Sequence, residues 1–364
     1  MIGSGIVGCS VAYELARRGA SVDIVDERGV ALGATQASAG MLVPYHEAGG
    51  DSPLLPLATA SLDLYDDFIE AVSADSGVRI PYHRTGSLEV AMNDAEFAAL
   101  RACADALRER GVPSMLLDRA GARTEEPHLA ADVVGALLVE PHGFVAAADF
   151  TRALAIAARA RGARVVEQSR VRRVVRAGSD MSVETERGTL AASCVVLAAG
   201  TWISRIDIDG PTVRVPVRPV RGQLLHLGWN GTPLRRITWS HSCYLVPWDD
   251  GTLLVGATVE DAGFDERATV AGVRDLLDGV CETVPHAWTA TFRAARVGLR
   301  PATPDNLPII GSSEAVPNLF YAAGHYRNGV LLAPVTARLL ADAMLEGRLD
   351  PLLEPVSPRR FGGL

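Results

Sequence analysis

No lysine occurs among the 364 residues; all 35 basic side chains are arginine, set against 43 Asp and Glu for a net charge of −8. An acidic chain whose arginines are spread along its length offers no basic stripe, which excludes nucleic acid as the main partner. The exclusive use of arginine records gene base composition more than function. Arginine's planar fork nevertheless suits carboxylate recognition where it is buried. Cysteine is also scarce. Cys9, Cys103, Cys194, Cys243 and Cys281 stand far apart with no paired spacing, so neither a disulfide framework nor a metal site is expected, and a reducing cytoplasm fits. Long apolar runs are missing too: the stretch near the C-terminus is broken by Pro334, Arg338 and Asp342, and the N-terminus lacks the basic, apolar and small-residue order of a secretion signal. No membrane partner is expected. With 48% hydrophobic residues the chain is globular, and its length accommodates two domains.

What is present begins at the N-terminus. Gly3-Ser4-Gly5-Ile6-Val7-Gly8 precedes a helical pattern reaching Arg18, a stop at Gly19, an apolar strand over 22–25, and Asp26. This is the layout of a dinucleotide-binding βαβ unit. Gly3 allows the tight turn, Gly5 lets backbone approach a pyrophosphate on the helix N-terminus, and Gly8 lets helix and strand pack closely. Asp26 closes the second strand, where a carboxylate accepts from ribose hydroxyls. Only Met1 and Ile2 precede Gly3, whereas a first strand usually has about five residues. The expectation is a polypeptide that begins upstream, or an abnormally short central strand.

Further along, residues 33–41 are nearly all small and can lie flat against a planar ring. Helical periodicity covers 54–73, 94–110, 144–161 and 274–284, with a long helix from 329 to 345. Short strands are read at 163–166, 171–174, 182–185, 194–197, 213–216, 223–227, 243–246, 253–257 and 319–322. Nucleotide-type elements lie at both ends and in the middle, which predicts two interleaved domains. Arg170, Arg172 and Arg173 read as a solvated strand edge, Trp202 as packing near an adenosine half, and His46, His83, His128, His142, His226 and His286 as structural or surface residues. No serine sits on a nucleophile elbow.

Three segments carry the remaining chemistry. Residues 320–334 place a strand end, a tight turn and a helix N-terminus in succession, able to stabilise negative charge on an electron-accepting ring, with Arg327 at the turn. Residues 297–306 set Arg300 between Leu299 and Pro301. In Ser240-His241-Ser242-Cys243-Tyr244-Leu245-Val246-Pro247, period-two alternation turns Tyr244 away from Cys243 and Leu245. An arginine fork plus a phenol suits one carboxylate.

Along its whole length the chain resembles the D-amino-acid-oxidase superfamily of flavoproteins, and within it the glycine oxidase group. Ala39-Gly40-Met41-Leu42, residues 241–247, Gly256-Ala257-Thr258, Gly298-Leu299-Arg300-Pro301 and residues 323–334 carry the resemblance. It departs at Ser242, where relatives often have histidine, and at Val259, where some have methionine. The resemblance implies an α/β chain with a Rossmann-like FAD-binding domain (1–75, 145–212 and 296–364) interleaved with a smaller substrate domain on a mostly antiparallel sheet (76–144 and 213–295). It implies noncovalent FAD on Gly3, Gly5, Ile6, Val7, Gly8, Asp26, Glu27, Ala34, Thr35, Ala39, Gly40, Met41, Val171, His325, Tyr326, Arg327, Asn328, Gly329, Val330 and Leu331. Substrate contacts fall on Arg300, Arg327 and Tyr244, and His325 positions the ring rather than abstracting a proton. The implied activity is oxidative deamination of a small amino acid by dioxygen, glycine foremost, serving thiamine (thiazole) biosynthesis, in a cytoplasmic homo-oligomer that is tetrameric in the family. Oxidation of sarcosine or D-amino acids, with oxygen or another acceptor, is the alternative; a flavin-binding subunit without turnover is the reading from a different class.

Overall fold

The computed structural model describes residues 1–47, 52–210 and 214–364. Gly5 caps the helix Ile6–Arg17, whose residues from Ile6 to Ala16 are all buried. That helix packs between Ala147–Ala160 and Ala333–Ala341, with Val11, Tyr13, Leu154 and Leu339 in one core. Beside it the strand Asp23–Val25 pairs in parallel with Arg164–Val166, and Val195–Leu197 pairs in parallel with Leu319–Ala323. Ile2 alone holds the central place between them, bridging Val25 on one side and Leu197 on the other. Gly3 N–H donates to the Val25 carbonyl at 2.8 Å and Ala198 N–H to the Ile2 carbonyl at 2.8 Å. Among the described residues the central strand consists of this single bridge on each side.

A second lobe is built on an eight-stranded sheet, ordered Thr291–Ala302, Arg218–Gly228, Thr252–Gly256, Tyr244–Pro247, Ile237–Trp239, Ser87–Ala91, Gly135–Val139 and Ser114–Asp118. All neighbours are antiparallel except Ile237–Trp239 with Ser87–Ala91. The α/β class with a mostly antiparallel second sheet is therefore the observed fold. One face packs Leu225, Leu245 and Val255 against Leu276 and Val280 of the helix Val270–Thr283. The opposite face sets Leu224, Trp239, Val246 and Leu254 against Ala39 and Val43 of the nucleotide lobe. Burying each such leucine is worth about 1.5–3 kcal/mol, so the two lobes share a continuous apolar floor.

Several elements differ from their sequence reading. The helix expected over 54–73 is two, Leu55–Asp63 and Tyr65–Ser76, and the one over 144–161 begins as the strand Gly143–Val145. Residues 214–216 are not a strand, which begins at Arg218; Val213 lies outside the described residues. Thr291–Ala302 carries the large sheet past the boundary expected at 295/296, which falls inside a strand.

Candidate active site

Between the lobes runs a cavity whose wall is contributed by the glycine turn, residues 33–41, the large sheet and residues 322–331. At the nucleotide end, the Ile6 amide donates to Thr35 Oγ1 at 3.2 Å. Asp26 ties the turn to the strand end: Oδ2 accepts from Ser4 N–H at 2.7 Å, and Oδ1 accepts from Arg28 and Gly29 N–H at 2.8 and 3.0 Å. With two acceptor sites on each oxygen, only Oδ2 keeps one for a ligand. Residues 33–41 give the cavity a wall of short side chains, and it packs so tightly on the sheet that a Cβ on Gly298 would stand 2.9 Å from the Ala37 Cβ.

On the sheet side, register decides which side chains meet. Tyr244 pairs with Gly256, Gly256 with Leu224, Gly222 with Gly298, and Val220 with Arg300. Alternation along each strand then sends Tyr244 and Arg300 to the same face, over the cavity. Two glycines make room for them. A Cβ on Gly222 would lie 2.2 Å from Arg300 Nη1, and one on Gly256 would lie 2.4 Å from Tyr244 Oη. Arg300 Nη1 donates to the Thr258 carbonyl at 3.0 Å and to the Arg221 carbonyl at 3.4 Å, which sets the plane of its guanidinium. Those acceptors are themselves held. Buried Arg221 donates to Glu260 Oε2 at 2.6 Å, while Gln223 and Thr258 donate to Glu260 Oε1. Burial alone would raise the Glu260 pKa, but hydrogen bonds from Thr258, Gln223 and Arg221 hold it below the usual range.

The third wall is the turn after the strand Leu319–Ala323. Tyr326, in the left-handed region at φ 49°, donates its N–H to the Pro301 carbonyl at 2.9 Å and so fastens this turn to the Arg300 strand. The following helix begins at Ala333, four residues later than expected, so residues 329–331 present turn backbone rather than a helix N-terminus. Ser61 Oγ and Tyr65 Oη donate to the Leu331 and Val330 carbonyls and fix that backbone. His325 is buried, hydrogen-bonds Thr336 Oγ1 at 3.1 Å, and has its pKa pushed down to about 3 by burial. It is neutral and positions the turn. Arg327 is exposed at the rim, its guanidinium 5.3 Å from the centre of the Tyr326 ring.

All the site residues expected from sequence line this one cavity except Gly8, whose place is in packing: a Cβ there would meet the Gly3 carbonyl oxygen at 2.1 Å. Arg170, expected on a solvated edge, also lines it, 3.9 Å from Glu27. So do Arg28, Trp202, Arg205 and Ser240 to Ser242, of which the sequence signalled only Trp202, by its place just after Ala199-Gly200, and the serine motif. Val259 is exposed and away from the cavity wall, whereas Ser242 is on it. Among the described residues no cluster of His, Cys, Asp and Glu is arranged to hold a metal, and no helix is long and apolar enough to cross a membrane.

The family model described as DAO, FAD dependent oxidoreductase, matches residues 1–343. The chain belongs to this family. It is 35% identical over 366 residues to a protein named glycine oxidase from Geobacillus kaustophilus, covering 100% of this chain and 97% of that protein. It is 34% identical over 358 residues to a protein named Bifunctional protein ThiO/ThiG from Nostoc sp., covering 97% of this chain and 53% of the longer protein. The crystal structure of glycine oxidase from Geobacillus kaustophilus superposes with a TM-score of 0.93 at 34% identity, over 99% of this chain and 97% of that one. This DAO-family chain is FAD-dependent, and its cavity fits the cofactor. A Cβ on Gly5 would meet nothing nearer than Thr35 Oγ1 at 3.5 Å, so main chain at the helix N-terminus is open to a pyrophosphate, and residues 33–41 line the cavity with mostly short side chains.

Proposed function

We propose that this chain is an amino-acid oxidase that takes glycine to glyoxylate, ammonia and hydrogen peroxide, consuming dioxygen and water. The observation that carries the reading is that Arg300 and Tyr244 share one sheet face directly over the cavity, each in space left by a glycine. The Arg300 fork, its plane set by the Thr258 carbonyl, takes the substrate carboxylate as a bidentate partner, and the Tyr244 hydroxyl donates a third hydrogen bond. Arg327 at the rim draws the carboxylate inward. This grip aims the α C–H of the amino acid across the cavity toward the small-residue wall. FAD, when bound there, supplies the hydride acceptor and passes the electrons on to dioxygen. Once the substrate ammonium has given a proton to solvent, loss of hydride is matched by the amine lone pair closing to an imine, which water hydrolyses, so no strong protein base is required. His325, neutral and spoken for by Thr336, holds the turn that flanks the ring.

The adenosine end is held by Asp26 Oδ2 and the backbone from Gly3 to Val7, with Glu27 and Val171 beside them, and the flavin end by residues 34–41 and 325–331. The same reading includes a cytoplasmic homotetramer that serves thiazole formation, supported by the resemblance to the glycine oxidase group and by the likeness to the ThiO/ThiG protein. The decisive assay is peroxide formation over a panel of glycine, sarcosine and D-alanine with purified, FAD-saturated protein. Glycine is expected to give the highest kcat/KM; sarcosine or D-alanine ahead of it would move the assignment to that substrate, and no peroxide with any of them would remove it.

A further inference from the structure

The lobes meet a second time, at the nucleotide end of the cavity. Beyond Asp26 and Glu27, the wall there is made by Arg28, Trp202 and Arg205. The Arg28 guanidinium lies 4.4 Å over the Trp202 ring. From outside, Glu266 grips it in a two-pronged pair, Nη1 to Oε1 at 2.9 Å and Nη2 to Oε2 at 2.6 Å. Alongside, the Phe264 ring carries the Arg205 guanidinium at 3.5 Å and stands 6.5 Å from Trp202. Phe264 and Glu266 belong to a segment of the sheet lobe, residues 258–269, and stand behind the side chains that form the wall. The segment is fixed at its root. Buried Arg221 binds Glu260, Asp265 and the Arg267 carbonyl, and buried Gln223 binds Glu260 and both the hydroxyl and the amide of Thr269. A segment anchored on its own lobe on both sides of Glu266, and paired through Glu266 and Phe264 to the other lobe, describes a strap.

We propose that residues 258–269 are a clasp on the adenosine end of bound FAD, in which Glu266 and Phe264 act as positioning residues that hold Arg28, Trp202 and Arg205 against the nucleotide and set how fast the cofactor leaves. An indole and a guanidinium offer flat, polarisable faces to an adenine ring, and each does so only if its own orientation is fixed. The pair that fixes Arg28 is partly open to water, with Arg28 and Glu266 side chains 36% and 31% exposed, so salt weakens it. The inference rests on FAD as the cofactor and is independent of which amino acid is oxidised.

The test follows FAD release from the holoenzyme by the rise of free-flavin fluorescence after dilution, at low salt and in about 0.5 M NaCl. Wild type is expected to release faster at high salt. Glu266→Gln and Phe264→Ala should each speed release at low salt by roughly three- to tenfold, the range for a bidentate, partly buried pair and a cation–π contact. Glu266→Gln should also flatten the salt response. The double variant Arg28→Glu with Glu266→Arg should release more slowly than Arg28→Glu alone, a rescue that general destabilisation does not give. Asp105→Asn, which breaks the exposed Arg108–Asp105 pair on the helix Asp94–Glu109 away from the cavity, should leave the rate unchanged. Wild-type release by both Glu266→Gln and Phe264→Ala overturns the clasp. If those variants fail to fold, a wild-type release rate that does not respond to salt overturns it as well.

Discussion

Arg300→Ala is expected to leave FAD bound and to lower kcat/KM by about 3 kcal/mol, some two orders of magnitude, because a carboxylate brought out of water then finds no charged partner. Arg300→Lys should recover only part of this, since a point charge cannot reproduce the fork. Glycolate should compete with substrate in the wild type and lose that ability in Arg300→Ala; retention of glycolate inhibition would move the anchor to Arg327. Tyr244→Phe removes one hydroxyl and little volume, so the expected loss is about 0.5–1.5 kcal/mol, seen as a higher KM for glycine. An unchanged KM would place the phenol outside the substrate site. Both residues stood out in the sequence, Arg300 by its place between a glycine and a proline and Tyr244 by strand alternation. Their meeting could not be read there, because it depends on a chain of strand pairings that ends in Val220 with Arg300, 80 residues apart in the sequence.

At the scale of elements, the two glycines beneath Arg300 and Tyr244 make a prediction that no side-chain deletion does. Gly222→Val would put atoms where the Arg300 guanidinium now lies, so KM for glycine should rise steeply while FAD affinity stays close to wild type. Equal losses in both would mean that the strand itself had failed. Asp26→Ala removes three backbone hydrogen bonds along with the free acceptor on Oδ2, so it should both weaken FAD retention and lower the thermal midpoint, with added FAD restoring much of the rate. Activity lost beyond rescue in a natively folded variant would count against a role confined to the nucleotide end.

The βαβ start was legible because all its signals are local: glycine spacing, helix period and a terminal acid within one stretch of chain. The strand Thr291–Ala302 was not. Its first half is exposed and rich in arginine, and its strand character comes from pairing with Arg218–Gly228. Gly135–Val139 escaped notice for the opposite reason: it is buried on both faces and shows no alternation. The Arg28–Glu266 pair links lobes across 238 residues and leaves no local trace at all.

For the whole molecule, burial of neutral histidines sets the response to acid. His142 and His325 have pKa values pushed down to about 3 by burial, His142 also by the nearby His46 and Arg84 charges. In the unfolded chain both return to about 6.5 and bind a proton that the folded state refuses. Their contribution to stability is therefore complete above pH 6.5 and is lost as the pH falls from there toward 3, with a slope of about 1.4 kcal/mol per pH unit for each. The thermal midpoint of the FAD-saturated protein should fall between pH 7 and pH 5, and His142→Gln should make that fall shallower. Parallel curves for the two proteins would show that His142 titrates normally in the fold.

The central claim is that substrate held by Arg300 and Tyr244 delivers its α-hydride into the FAD site. It is tested most directly by anaerobic mixing of the FAD-loaded protein with glycine in a stopped-flow spectrophotometer. The account predicts loss of the oxidised-flavin absorbance at a rate that saturates with glycine and collapses in Arg300→Ala, with full recovery on admitting air. A flavin spectrum that stays oxidised with glycine, sarcosine and D-alanine alike would contradict it and leave a protein that binds FAD without turning over an amino acid.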